Sequence, residues 1–126
     1  MDARQIEETE LRKVIGRKPS AARAAFVMQA LSSKWEGTQA LAIKALGAWG
    51  GRTNVEVIRR FLEAAFDREA GWAIRKVAIT TLAEIVSPDD AEWVDAMWLA
   101  RKSGFERHEL RPLMDRFPSL ARPFPW

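Results

Sequence analysis

Val55–Ala100 reads VEVIRRFLEAAFDREAGWAIRKVAITTLAEIVSPDDAEWVDAMWLA, and this stretch decides the fold. Apolar residues at 57, 58, 61, 62 and 65 recur with the 3.6-residue period of one helix face. Asp67 to Gly71 interrupts the period as a turn. Ile74, Val77, Ala78, Leu82 and Ile85 then restart it in a second helix over about 71–86. Ser87-Pro88-Asp89-Asp90 opens a third. There a hydroxyl can cap, proline suits the first helical position, and acids favour the positive end of the dipole. Its inward residues are Trp93, Val94, Met97 and Trp98. The stretch is therefore a helical hairpin followed by the first half of another, and no alternating strand pattern competes with it.

The same pattern extends in both directions. Upstream, Thr53 and Glu56 have capping-box spacing ahead of a helix predicted over 54–66. Gly50-Gly51 ends a helix over 37–49 whose inward residues are Leu41, Ala42, Ala45, Leu46 and Trp49. A helix over 19–32 is expected to turn Ala22, Ala25, Phe26, Gln29 and Ala30 inward, and the first helix spans 2–16. Downstream, Leu110, Leu113, Met114 and Phe117 suggest a short seventh helix. Pro112 forces it to start near Glu109 or to kink, because an interior proline costs about 3 kcal/mol. Pro123-Phe124-Pro125-Trp126 closes an extended, proline-rich tail over 118–126.

A shift of 36 residues superposes these patterns without gaps. It places Leu41, Ala42 and Leu46 on Val77, Ala78 and Leu82, and Ile58, Phe61 and Leu62 on Val94, Met97 and Trp98. Carried backwards it sets Ala22, Ala25 and Phe26 under Ile58, Phe61 and Leu62. Carried forwards it sets Ile74, Arg75, Val77 and Ala78 on Leu110, Arg111, Leu113 and Met114. Constant spacing of this kind favours a solenoid, in which each helix pair buries its apolar face against its neighbours.

Phe66 to Ile85, FDREAGWAIRKVAITTLAEI, resembles a HEAT-type repeat, with Asp67 in the turn and Arg75, Ala78 and Leu82 along the second helix. The resemblance covers roughly Ser20 to Phe117. It implies an all-α fold, a short right-handed α-solenoid of about three HEAT-like helix pairs with an N-terminal capping helix. One domain is expected over 1–126: the capping helix at 2–16, repeats at about 19–50, 54–86 and 88–117, then the tail. The resemblance also implies a ladder in which Asp67 and Arg75 tie adjacent repeats. The first copy has Leu31 and Gln39 at these positions and the third has Ser103 and Arg111, so the ladder is incomplete.

Composition narrows the function. The 126 residues are 48% hydrophobic and 29% charged, the balance of a soluble globular protein. The absence of cysteine excludes disulfides and thiolate chemistry. No apolar run reaches the roughly 20 residues that span a bilayer. The charged start, MDARQIEETELRK, lacks the apolar core of a signal peptide, so a cytoplasmic location is expected. Net charge is +3, and it is segregated: Glu84 to Asp95 holds five acids and no base, whereas six bases face three acids from Arg101 onward. Six Trp and six Phe are read mainly as packing between helices, with one or two exposed Trp available to anchor a partner.

Chemistry has little to work with. His108 is the single histidine, and a triad with Ser103 or Ser119 and Asp115 would lie on proline-broken chain. Asp89, Asp90 and Glu92 sit at a helix start and read as dipole-matched caps rather than metal ligands. Asp95 and Trp98 bear a faint likeness to HEAT-like proteins that excise alkylated bases, but Asp95 lies within the acidic stretch. No enzyme activity, cofactor or metal is expected. What remains is a basic concave face formed by second helices, with the rows Lys44–Thr80–Arg116 and Gln39–Arg75–Arg111 and with Lys76 and Trp72 beside them. This reading makes the chain a protein-interaction module, such as an adaptor, an inhibitor or an immunity-type protein, binding an acidic protein segment. Nucleic-acid binding through the same face is the alternative.

Overall fold

A capping box opens the first helix. The Gln5 backbone N–H donates to Asp2 Oδ1 at 2.9 Å, and the Asp2 N–H donates to Gln5 Oε1 at 3.1 Å. The computed structural model describes residues 2–68 and 70–120, and among these every regular element is helical. The α-helices are α1 (Ala3–Ile15), α2 (Ala21–Leu31), α3 (Glu36–Trp49), α4 (Arg52–Asp67), α5 (Trp72–Ile85), α6 (Ala91–Ala100), α7 (Gly104–Glu109) and α8 (Arg111–Met114). Short 3-10 turns cover Pro88–Asp90 and Pro118–Leu120. The remainder of the expected tail, with Trp126, lies outside the described residues. No described helix is long and apolar enough to cross a membrane.

Two rows of contact organise the helices. In one, α1 packs on α3, α3 on α5 and α5 on α8. From the other side α2 packs on α3, α4 on α5 and α3, and α6 on α8. One continuous cluster of apolar side chains runs between them, from Leu11 through Leu46, Ile58 and Leu82 to Leu113 and Phe117. The shift of 36 residues survives in this core. Thr38, Gln39, Ala42, Ile43, Ala45 and Leu46 of α3 correspond to Ile74, Arg75, Ala78, Ile79, Thr81 and Leu82 of α5. All of these are buried except Arg75, which is half-buried.

The approach of α3 to α5 depends on a missing side chain. A Cβ added at Gly47 would lie 2.3 Å from Thr81 Cγ2, so only glycine fits there. Neither α3 nor α5 has a side-chain cap of its own. A carboxylate from the preceding helix of the row stands near each start instead. Glu8 of α1 lies by Gly37 and Glu36 of α3 lies by Gly71, each with an oxygen within 3.2 Å of where a Cβ would be. At Gly71 the negative charge suits the helix dipole; at Gly37 the Glu8 carboxylate is paired with Arg4, whose guanidinium also reaches the site.

Three expectations are corrected. The Thr53–Glu56 capping box does not form, because Gly50 and Gly51, with φ of 67° and 90°, turn the chain so sharply that Arg52 is already helical. Asn54 instead turns back, donating to the Leu46 and Gly50 carbonyls at 3.3 and 2.8 Å and satisfying the end of α3. The second helix turns only part of the expected face inward: Ala30 is buried and Phe26 packs half-buried against the core, as expected. Val27 and Ala30 are buried, whereas Ala22, Ala25 and Gln29 are exposed. The backward shift is thus 35 residues, pairing Val27 with Leu62 and Ala30 with Ala65. Finally, the single seventh helix expected is two: α7 precedes a separate helix that starts at Arg111, close to Glu109 as Pro112 allowed, with the break at Leu110.

Candidate functional site

Trp72, Lys76 and Thr80 follow one another at helical spacing along α5 and line a cleft of about 430 Å³. His108 and Glu109 of α7, Arg111 and Pro112 of α8, and Asp115 form its other wall, with Ile79 at its base. The break at Leu110 gives this wall two short helices in place of one long one, and so opens the cleft. Four residues singled out from sequence therefore come together: Trp72, Lys76, Thr80 and Arg111.

Each has a definite setting. Trp72 is 61% exposed. By contrast, Trp93 and Trp98 are buried and Trp35 and Trp49 half-buried. The Lys76 ammonium lies 5.5 Å from the centre of the Trp72 ring, a cation–π distance. Thr80 Oγ1 donates to the Lys76 carbonyl at 2.8 Å. The cleft carries both signs of charge, with Lys76 and Arg111 beside Asp115 and beside Glu109, which is already paired with Arg75, where a basic groove was expected.

Arg75 serves the scaffold. Its Nε and Nη2 donate to the two carboxylate oxygens of Glu109, both at 2.8 Å, and its Nη1 donates to the Ala70 carbonyl. The fork lies over the Phe66 ring, 5.4 Å from its centre. Hydrogen bonding to Glu109 raises the guanidinium pKa above its ordinary value, against the opposing effect of burial. Asp67, expected as its ladder partner, is exposed at the end of α4. Gln39, one repeat earlier, likewise donates Nε2 to a backbone carbonyl, that of Ser33, at 2.7 Å. The row Gln39–Arg75–Arg111 is thus spent on the scaffold at its first two members.

Because the Arg75–Glu109 pair braces α7 against α5, Arg75→Ala is expected to cost about 1–2 kcal/mol, a partly buried pair being worth more than a surface one. Glu109→Gln should cost less, and the double variant little more than Arg75→Ala alone, as chemical denaturation would show.

The other row is broken. Lys44 is exposed on α3 but does not line the cleft. Arg116 falls beyond the end of α8 and lines a separate recess of about 330 Å³ with Val86, Ser87 and Phe117. Asp115 takes the place beside Thr80 that the shift of 36 residues had assigned to Arg116.

The chemical alternatives also find their places. Ser103 caps α7, accepting the Glu106 N–H at 3.1 Å, and Ser119 lines the separate recess. No three acidic or histidine side chains among the described residues converge as a metal site would require. Trp98 is buried, with Arg107 over its ring at 5.5 Å, leaving no face on which a base could stack.

Sequence reasoning missed the buried charge. Asp90 is fully buried and accepts from the Ser87 N–H at 2.8 Å, from Trp93 Nε1 at 2.6 Å and from both Nη atoms of Arg52. Burial alone would raise its pKa. The Arg52, Ser87 and Trp93 hydrogen bonds outweigh that effect and hold the carboxyl at about 2. The spacing Ser87-Pro-Asp-Asp90 signals the cap, but no local pattern announces Arg52, which lies far upstream.

Compared with known family models, curated proteins and solved structures, the chain matches none.

Proposed function

We propose that the chain is a HEAT-like α-solenoid acting as a non-catalytic protein-interaction module, an adaptor, inhibitor or immunity-type protein of the cytoplasm. The row α1–α3–α5–α8 and its 36-residue register support the solenoid reading. One observation carries the function: Trp72 stands exposed at a cleft while the other described tryptophans are drawn into the packing. A large ring left in water at a concave surface is the usual anchor of a protein contact.

The partner is a protein segment that lays an apolar side chain on Trp72 and a carboxylate on Lys76. The Asp115 carboxylate in the cleft favours this over a phosphate backbone; Glu109 is already paired with Arg75. Base excision is disfavoured by the burial of Trp98.

The test is affinity capture from the native host with the wild-type chain and with Trp72→Ala, followed by titration of the captured protein. Loss of a hot-spot ring should weaken binding at least roughly 30-fold, about 2 kcal/mol. The melting temperature should barely move, because the ring is mostly solvated. Equal binding by the two chains overturns the assignment of the cleft. Tight, steeply salt-dependent binding of DNA or RNA, abolished by charge reversal at Lys44, Lys76 and Arg116, would replace the protein reading with the nucleic-acid one.

A further inference from the structure

α7 walls the cleft with His108 and Glu109, yet none of its six residues is buried, and Phe105 is 83% exposed. The chain on either side is anchored. Met97 and Trp98 of α6 lie in the core before it, and Leu110, Leu113 and Met114 lie in the core after it. Arg101–Ser103 is not helical, and Leu110 separates α7 from α8. Among the described helices α7 packs broadly on none but α8, its neighbour in the chain. A helix this short is also well below the roughly 12–15 residues at which an isolated helix begins to hold itself.

Charged side chains tie α7 down. The two 2.8 Å bonds from Arg75 to Glu109 cross from α5, one wall of the cleft, to the other. Arg101 Nη1 donates to Glu106 Oε2 at 3.5 Å, and Arg107 Nε donates to the Arg101 carbonyl at 3.0 Å. The arginines facing the two carboxylates are themselves held from below. Arg75 and Arg101 lie 5.4 and 4.4 Å from the centre of the Phe66 ring, and Phe66 is in the core. The carboxylates can thus come away while their partners stay in place. A partly solvated ion pair is worth little beside the burial of an apolar face. Opening α7 therefore costs less than opening α5 or α6, whose core residues would have to meet water.

We infer that α7 is a strap that unfolds locally and closes again along the cleft, with the Arg75–Glu109 pair as its latch. Its consequence for binding rests on the reading of the cleft as a docking site. A segment seated between the two walls needs His108 and Glu109 in place, so its binding holds the strap shut. The strap itself belongs to the free chain and is tested without a partner, so it stands or falls apart from the Trp72 contact.

Amide hydrogen exchange of the free chain, followed residue by residue by NMR across a series of low urea concentrations, is the test. Two amides report on the strap: the Arg107 N–H, bonded to the Ser103 carbonyl at 3.2 Å, and the Leu110 N–H, bonded to the Arg107 carbonyl at 3.1 Å. The amides of Ala78 to Leu82 report on α5. After correction for intrinsic rates, the strap amides should exchange about 100-fold faster than those of α5. They should hardly respond to urea, because opening the strap exposes little surface. Glu109→Gln, which keeps the shape and weakens the latch, should speed the strap amides a further roughly fivefold. Strap amides as slow as those of α5, with the same urea dependence, overturn the inference, since α7 would then open only with the whole molecule. Strap amides that Glu109→Gln leaves unchanged also overturn it, because the pair would not be the latch.

Discussion

Asp90→Ala lowers the melting temperature by roughly 10 °C. Truncation leaves the Ser87 N–H and the buried Trp93 indole N–H without their acceptor and releases Arg52. Breaking a buried charged pair costs about 3–5 kcal/mol, of which the lost helix cap is about 1. At this chain length each kcal/mol is worth roughly 3–5 °C. The exposure of Arg52, whose side chain is about half solvated, places the effect at the lower end. Arg52→Ala should therefore cost less, because Asp90 keeps two of its donors.

The same carboxylate makes stability depend on acid. Its folded pKa is lowered from 3.8 to about 2. The unfolded chain therefore takes up the proton first as pH falls. The contribution is whole above pH 4 and is lost as pH falls through 2. It amounts to about 2 kcal/mol, since each tenfold change in proton affinity is worth about 1.4 kcal/mol. Thermal melts of the wild type and Asp90→Asn at several pH values should converge across that window. A gap that stays constant from pH 5 to 2 would show that shape, not charge, is what Asp90 supplies.

What can be read from sequence, and what cannot, divides along the same physical line. Local periodicity determines the helices, because burying one face of a helix leaves its signature in neighbouring positions. Trp93, Val94, Met97 and Trp98 are buried as the pattern requires. Periodicity does not determine the rotation of α2. AARAAFVMQAL is apolar nearly all round, so its sequence offers two faces and only contact with α3 selects Val27 and Ala30. The cleft is half legible. Trp72, Lys76 and Thr80 share a helix and hence a face, so spacing suffices. Spacing does not choose between groove and ladder for Arg75, also on α5, because its partner Glu109 comes from α7 across the broken wall. The repeat misplaces Arg116, since past Pro112 the chain no longer continues as one helix.

Gly47→Ala tests how tightly the row itself is set. Inside an exposed helix this change would gain about 1 kcal/mol. Here the added carbon would fall 2.3 Å from Thr81 Cγ2, far inside contact distance. Thr81 is buried and β-branched, so it cannot simply swing aside. Either α3 and α5 separate or Thr81 leaves its rotamer, and overpacking of this kind costs about 1–3 kcal/mol. The single variant should thus be destabilised despite its better helix propensity. Thr81→Ser removes the offending methyl, and the next atom, Thr81 Cβ, is an ordinary 3.8 Å from the new carbon. In that background Gly47→Ala should stabilise, giving a coupling of about 2–3 kcal/mol in a double-mutant cycle read by urea denaturation. Additive effects would mean that α3 and α5 have room to slide. Trp72 and Lys76 would then stand on a helix whose position against its neighbour is not fixed by contact, and the cleft would lose the rigid wall that an anchor requires.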